Sequence, residues 1–129
     1  MAIASSASPM LRIKRSTQSG SKTMTAAYAA VYTESSSQPY IFAGAVIDLS
    51  TMIAGNIINI RVRKMLASGA AWVLVDEMTY TGAQPTGHPA VYIQGLANFF
   101  GIEISMRQTA GVLTTVTAEF IDAKRIGLE

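Results

Sequence analysis

The sequence predicts an all-β protein, a single β-sandwich of about seven antiparallel strands with an extended N-terminal arm. Three observations carry this: period-two alternation of apolar and polar residues recurs through the body, turn signals separate the alternating runs at short intervals, and no cysteine is present to staple a smaller fold. At 129 residues the chain has room for one hydrophobic core. The pattern fits a jelly-roll or an immunoglobulin-like arrangement equally.

The first break falls near Ser21. Arg12, Lys14, Arg15 and Lys22 are the only charges among the first thirty-three residues, and none is acidic. Residues 1–21 read as a basic arm that ends in a polar linker, Ser16 to Ser21, and residues 22–129 as the sandwich. Setting those four charges aside leaves six basic residues against eight acidic, a body of −2. Such an arm can attract acidic partners through long-range fields. It is too sparse in charge, and too empty of aromatic residues, to predict nucleic-acid binding. Its interface candidates are Met10, Leu11 and Ile13 as apolar anchors, with Arg12, Lys14 and Arg15 meeting acidic rims.

From Lys22 the alternation begins, with Met24, Ala26, Tyr28, Ala30 and Tyr32 on one face of an extended strand. The alanines would also permit a helix here. Ser35 to Pro39 ends the element as a loop. Tyr40 to Ile47 is almost wholly apolar, as a strand buried on both faces would be, and Gly44 within it marks a bulge or a close backbone approach. Asp48 to Asn56 reads as a compact turn, with Asp48 and Ser50 as caps.

Ile58, Ile60 and Val62 alternate with Asn59, Arg61 and Arg63. Ala67-Ser68-Gly69 then turns the chain back into Trp72 to Tyr80, which predicts a hairpin with Arg61, Arg63 and Lys64 across from Asp76 or Glu77. Thr81 to Pro89, with its two prolines and two glycines, is a surface loop, and Val91 and Ile93 mark a short strand. Ile102, Ile104 and Met106, the turn Thr109-Ala110-Gly111, and Val112 to Phe120 predict a second hairpin. Phe99 and Phe100 precede Gly101, and neighbouring residues of a strand point to opposite faces. One ring is therefore a candidate interface anchor.

Few residues could do chemistry. His88 is the only histidine, without a short-spaced partner for zinc, and sits in a Gly-Pro loop as an exposed residue would. No nucleophile-elbow or phosphate-loop motif occurs, and Asp76 and Glu77 point to opposite faces of a strand. The sequence predicts no catalytic residue, no metal site and no cofactor. No uninterrupted apolar stretch is long enough for a membrane-spanning helix. The N-terminus lacks the basic start and long apolar run of a secretory signal, so the expectation is a protein made and used without Sec export.

Half of the residues are apolar and only 14% are charged, which leaves a surface short of the groups that keep a monomer in solution. Either the core is thick or part of the surface faces other protein.

The succession Ile47-Asp48-Leu49-Ser50, Ala54-Gly55-Asn56 leading into Ile60-Arg61-Val62, then Tyr80-Thr81-Gly82-Ala83-Gln84, then Gly101-Ile102-Glu103-Ile104 through Gln108-Thr109-Ala110-Gly111 to Glu119-Phe120, resembles small β-sandwich structural proteins of tailed phages and archaeal viruses. The resemblance covers roughly residues 40 to 121, leaves the arm out, and rests on turn and register signatures. It implies a virion structural protein with no catalytic residues, a capsid decoration or cement subunit or a tail part. Expected partners are identical subunits and other virion proteins, the major capsid protein among them, in a virion assembled in the host cytoplasm. A carbohydrate- or surface-binding module, with the Thr81–Pro89 loop and nearby aromatic residues as its site, is the alternative.

Overall fold

The computed structural model describes residues 11–35 and 40–125. These residues form nine strands and no helix: β1 (Leu11–Arg15), β2 (Gly20–Thr23), β3 (Ala29–Glu34), β4 (Tyr40–Asp48), β5 (Ile57–Lys64), β6 (Val73–Thr81), β7 (Ala90–Asn98), β8 (Ile102–Ala110) and β9 (Thr115–Arg125). Two antiparallel sheets make a β-sandwich. One, sheet A, has the order β1-β9-β4-β7 with β2 also paired to β9; the other, sheet B, has the order β3-β8-β5-β6.

The core lies between the sheets. Ala45 and Ile47 of β4, Val91 and Ile93 of β7, and Ala118 and Phe120 of β9 face inward from sheet A. Ile58, Ile60 and Val62 of β5 meet them from sheet B with Ile102, Ile104 and Met106 of β8. The predicted alternation places these residues, because successive side chains of a strand point to opposite faces.

The β5–β6 hairpin forms as predicted, with Arg61 directly opposite Glu77. Its register shifts between Val62 and Arg63, where Val75 is the extra residue of a bulge. The pairing of β4 with β9 shifts at Phe42 and Gly44, as the glycine suggested. Gly44 has φ +140°, and a side chain there would press on the Ile93 carbonyl oxygen at 3.0 Å.

Four expectations need correction. The single strand predicted from Lys22 to Tyr32 is the end of β2 and the start of β3, which lie in different sheets, because residues 24–28 carry the chain across the sandwich. The Met24 amide donates to the Thr114 carbonyl and the Thr25 hydroxyl to that of Ala27, which holds the crossing. β4 is not buried on both faces, since Ile41 and Val46 are exposed on the outside of sheet A.

The predicted hairpin at Thr109–Gly111 is a corner. β8 pairs with β3 and β5 in sheet B, whereas β9 pairs with β1, β2 and β4 in sheet A. The buried Gln108 amide explains how the corner holds. Its Nε2 donates to the Ala110 and Val112 carbonyls at 3.0 and 2.8 Å, and its Oε1 accepts from the Thr114 amide at 3.0 Å. Backbone groups that a hairpin ladder would have paired are met by one side chain.

Finally, the serine-rich linker is bonded to the sheet. The Ser16 amide donates to the Phe120 carbonyl at 2.8 Å, and the Phe120 amide donates to Ser19 Oγ at 2.9 Å. Small hydroxyl side chains can meet backbone groups as readily as solvent, and β9 offers them here.

Candidate interaction surfaces

The outer face of sheet B gathers five charged side chains, Arg61, Arg63, Glu77, Glu103 and Arg107. Arg63 bonds the Glu103 carboxylate through both Nε and Nη2, and the Ser105 hydroxyl donates to the same oxygen at 2.6 Å. Burial would raise the Glu103 pKa, but the Ser105 hydroxyl and the Arg63 guanidinium outweigh it and hold the group below its ordinary value. An unfolded chain therefore takes up this proton at a higher pH than the folded one. Stability from Glu103 is present above the ordinary glutamate value and is lost as pH falls through the lower folded value. The unfolding free energy measured by urea titration should fall over that window in the native chain, and Glu103→Gln should flatten the fall.

Beside this pair, the Tyr28 ring lies between two guanidinium groups, Arg61 at 4.0 Å and Arg107 at 4.4 Å from its centroid, while its hydroxyl donates to Glu77 at 2.8 Å. Burial, then the bond to Glu77, raises the Tyr28 pKa. Arg107 Nε donates to Asn59 Oδ1 at 2.9 Å, and Asn59 donates onward to Thr79 at 2.8 Å. This face is a polar network spanning β5, β6 and β8, capped by Tyr28, in which the buried Arg61 Nε, alone among the buried side-chain nitrogens and oxygens of the described residues, has no hydrogen-bond partner.

The side of the sandwich bounded by β6 and β7 is different. There the sheets part in a cleft of about 390 Å³ lined by Val62, Val75 and Met78 from one sheet and Tyr92, Ile93 and Leu96 from the other, with Asp76 and Gln94 at its polar positions. Val73, Leu74 and Val75 are exposed along β6, and Tyr92 on β7 is 64% exposed beside the exposed Val46 of β4. No Asp, Glu, Lys or Arg occurs between Glu77 and Glu103. Exposed apolar side chains gathered on one side of a molecule are the mark of a contact surface.

The candidate residues of the sequence fall on both edges of sheet A. Leu11, Arg12, Ile13, Lys14 and Arg15 are β1, paired in register with Arg125 to Ile121 of β9; Met10 lies outside the described residues. Ile13 is 75% exposed, and Arg15 meets Glu119 at 3.1 Å. Phe99 and Phe100 follow β7 at the opposite edge, 54% and 40% exposed, and Phe100 borders a concavity with Met65 and Ser68. The fold does not bring the two groups together, since β9 and β4 stand between β1 and β7. Sequence reasoning missed the exposure of Ile41, Val46 and Val73 to Val75, because an apolar strand residue looks the same whether a core or a partner covers it.

A second concavity, about 410 Å³, lies under the 81–89 loop and is lined by Tyr80, Gln84, Pro85, His88 and Tyr92. His88 is exposed, with its amide bonded to the Pro85 carbonyl at 2.9 Å. Among the described residues no three His, Cys, Asp or Glu side chains gather closely enough to hold a metal ion.

No family model and no curated protein sequence matches the chain. Among solved structures, the chain is similar to the VP2 protein of infectious bursal disease virus in its subviral particle, at 12% identity and a TM-score of 0.46. The match covers 88% of this chain and 32% of that one, so the chain spans about a third of the length of the protein it resembles.

Proposed function

We propose that this chain is a virion structural protein, a capsid decoration or cement subunit that packs against copies of itself and against other virion proteins, the major capsid protein foremost, and that it has no catalytic role. The observation that carries the proposal is the surface along β6 and β7, where Val73, Leu74, Val75 and Tyr92 stand exposed and β7 carries no charge. Exposed apolar surface of this kind is stabilised by a protein partner and costs solubility without one. The virion setting is what the resemblance of the turn signatures implies. In this reading β1 contacts a neighbouring subunit through Ile13, with Arg12, Lys14 and Arg15 as its charged flank, and Phe99 or Phe100 anchors the opposite edge.

A second reading keeps one specific observation. The Tyr80 and Tyr92 rings with the Gln84 amide and the His88 imidazole are groups that stack on and hydrogen-bond a sugar, and they line one concavity. One pair of measurements separates the readings. Light scattering on the full chain is expected to give a mass above that of the monomer, and a glycan array is expected to stay blank. A chain that remains monomeric at millimolar concentration and binds glycans would replace the first reading with the second.

A further inference from the structure

A sandwich has sheet edges, and each edge offers unpaired backbone N–H and C=O groups to any strand that approaches. Three of the edges here are guarded. The β1 and β2 edge carries Arg12, Lys14, Arg15 and Lys22 and is broken at Ser16–Ser19. The β3 edge has a register shift at Val31, and the Gln18 side chain is clipped onto Thr33, its amide donating to the Thr33 carbonyl and accepting from the Thr33 N–H, both at 2.9 Å. The β6 edge carries Asp76 and Glu77 and the bulge at Val75.

Among the described residues β7 has none of these devices. Its nine residues, Ala-Val-Tyr-Ile-Gln-Gly-Leu-Ala-Asn, contain no charge and no proline, and they pair with β4 without a register shift. An edge this long and this neutral is a template for another strand.

We infer that the unguarded edge of β7 pairs antiparallel with β7 of a second copy, joining the two molecules about a two-fold axis into one sheet that runs β1-β9-β4-β7-β7-β4-β9-β1. Charge chooses the partner. Two β7 strands bring no like charges together, whereas self-pairing of β1 would oppose its basic residues and self-pairing of β6 its acidic ones. Pairing β7 with any other edge of a second copy would still leave one β7 edge open, while the two-fold pairing closes both. The inference rests on the self-association proposed above and names the strand that makes it.

The experiment uses the full chain. Gln94 is the middle residue of β7 and exposed. Gln94→Lys should weaken the dimer at least roughly tenfold in sedimentation equilibrium, by opposing two like charges at the axis, with the far-UV circular dichroism unchanged. Val112→Lys, at the exposed corner between β8 and β9 and outside both candidate surfaces, should leave the dimer intact. Because the chain has no cysteine, Gln94→Cys provides a single thiol, and a short bis-maleimide should link two copies through it. An oligomer that ignores Gln94→Lys and dissolves with Leu74→Lys or Ile13→Lys overturns the β7 pairing and leaves self-association standing. Cross-linking of Gln94→Cys only to Ile13→Cys in mixed samples also overturns it, in favour of β1 on β7. A native chain that is monomeric throughout overturns both.

Discussion

Replacing Tyr32 with alanine should cost about 3–5 kcal/mol of stability, the usual loss when a large buried ring is removed and its space is not refilled. Tyr32 sits on β3 of sheet B with no exposed surface, and its ring lies 5.1 Å from those of Phe42 and Phe120, both of sheet A. Its hydroxyl donates to the buried carboxylate of Asp122 on β9. One side chain thus links the sheets by ring packing and by a hydrogen bond to a buried carboxyl group. Tyr32→Phe separates the two parts, because it keeps the rings together and removes only the O–H; it should cost about 1.5–3 kcal/mol. Both losses are large beside a total stability of about 5–15 kcal/mol. Urea unfolding midpoints of the three proteins measure them, and a loss below about 1 kcal/mol for Tyr32→Ala, the level of an ordinary surface change, would mean that the ring does not join the sheets.

The corner at Gln108 gives the second large effect. Gln108→Met preserves an unbranched side chain of similar volume and deletes every hydrogen bond it makes. The Ala110 and Val112 carbonyls and the Thr114 amide then lose their partner. Each such group left without a bond costs about 1–3 kcal/mol when water cannot reach it, so a total of about 3 kcal/mol is expected after partial hydration of the outer groups. Amide exchange at Thr114 is the sharper readout, since a Gln108 that only fills space would leave its protection unchanged on mutation to methionine.

That corner also shows how far the chain could be read without its structure. Ile102 to Met106 and Val116 to Phe120 alternate as strands, and they are strands. The glycine of Thr109-Ala110-Gly111 marks a turn, and Gly111 does have φ +82°. Nothing in the alternation says that the turn passes from one sheet to the other, because each strand needs only one apolar face and either sheet offers a place for it. Gln108 held the signal, as a polar residue at an inward position of β8. The same holds for Met24 and Tyr32, both inward, with five residues between β2 and β3 that cross the sandwich.

The candidate surface was legible in part. Adjacency on a strand predicts one exposed ring at Phe99 and Phe100, whereas both are exposed because they lie in the turn between β7 and β8, and the Tyr80, Tyr92 and His88 grouping follows from the position of their loop. The guards of the edges were not, because Gln18 meets Thr33 only once β2 and β3 have taken their places in different sheets.

What the sequence by itself determined is the class of the fold: alternation decides strand over helix, turn residues decide where strands end, and the absence of cysteine leaves packing to hold them. Which strand neighbours which was decided only in the tertiary structure, by long-range pairing that no local pattern encodes. The same pairing decided that the uncharged β7 stands at one edge of its sheet and the basic β1 at the other. An edge is defined by the strand that is missing beside it, and that is a property of the assembled sheet.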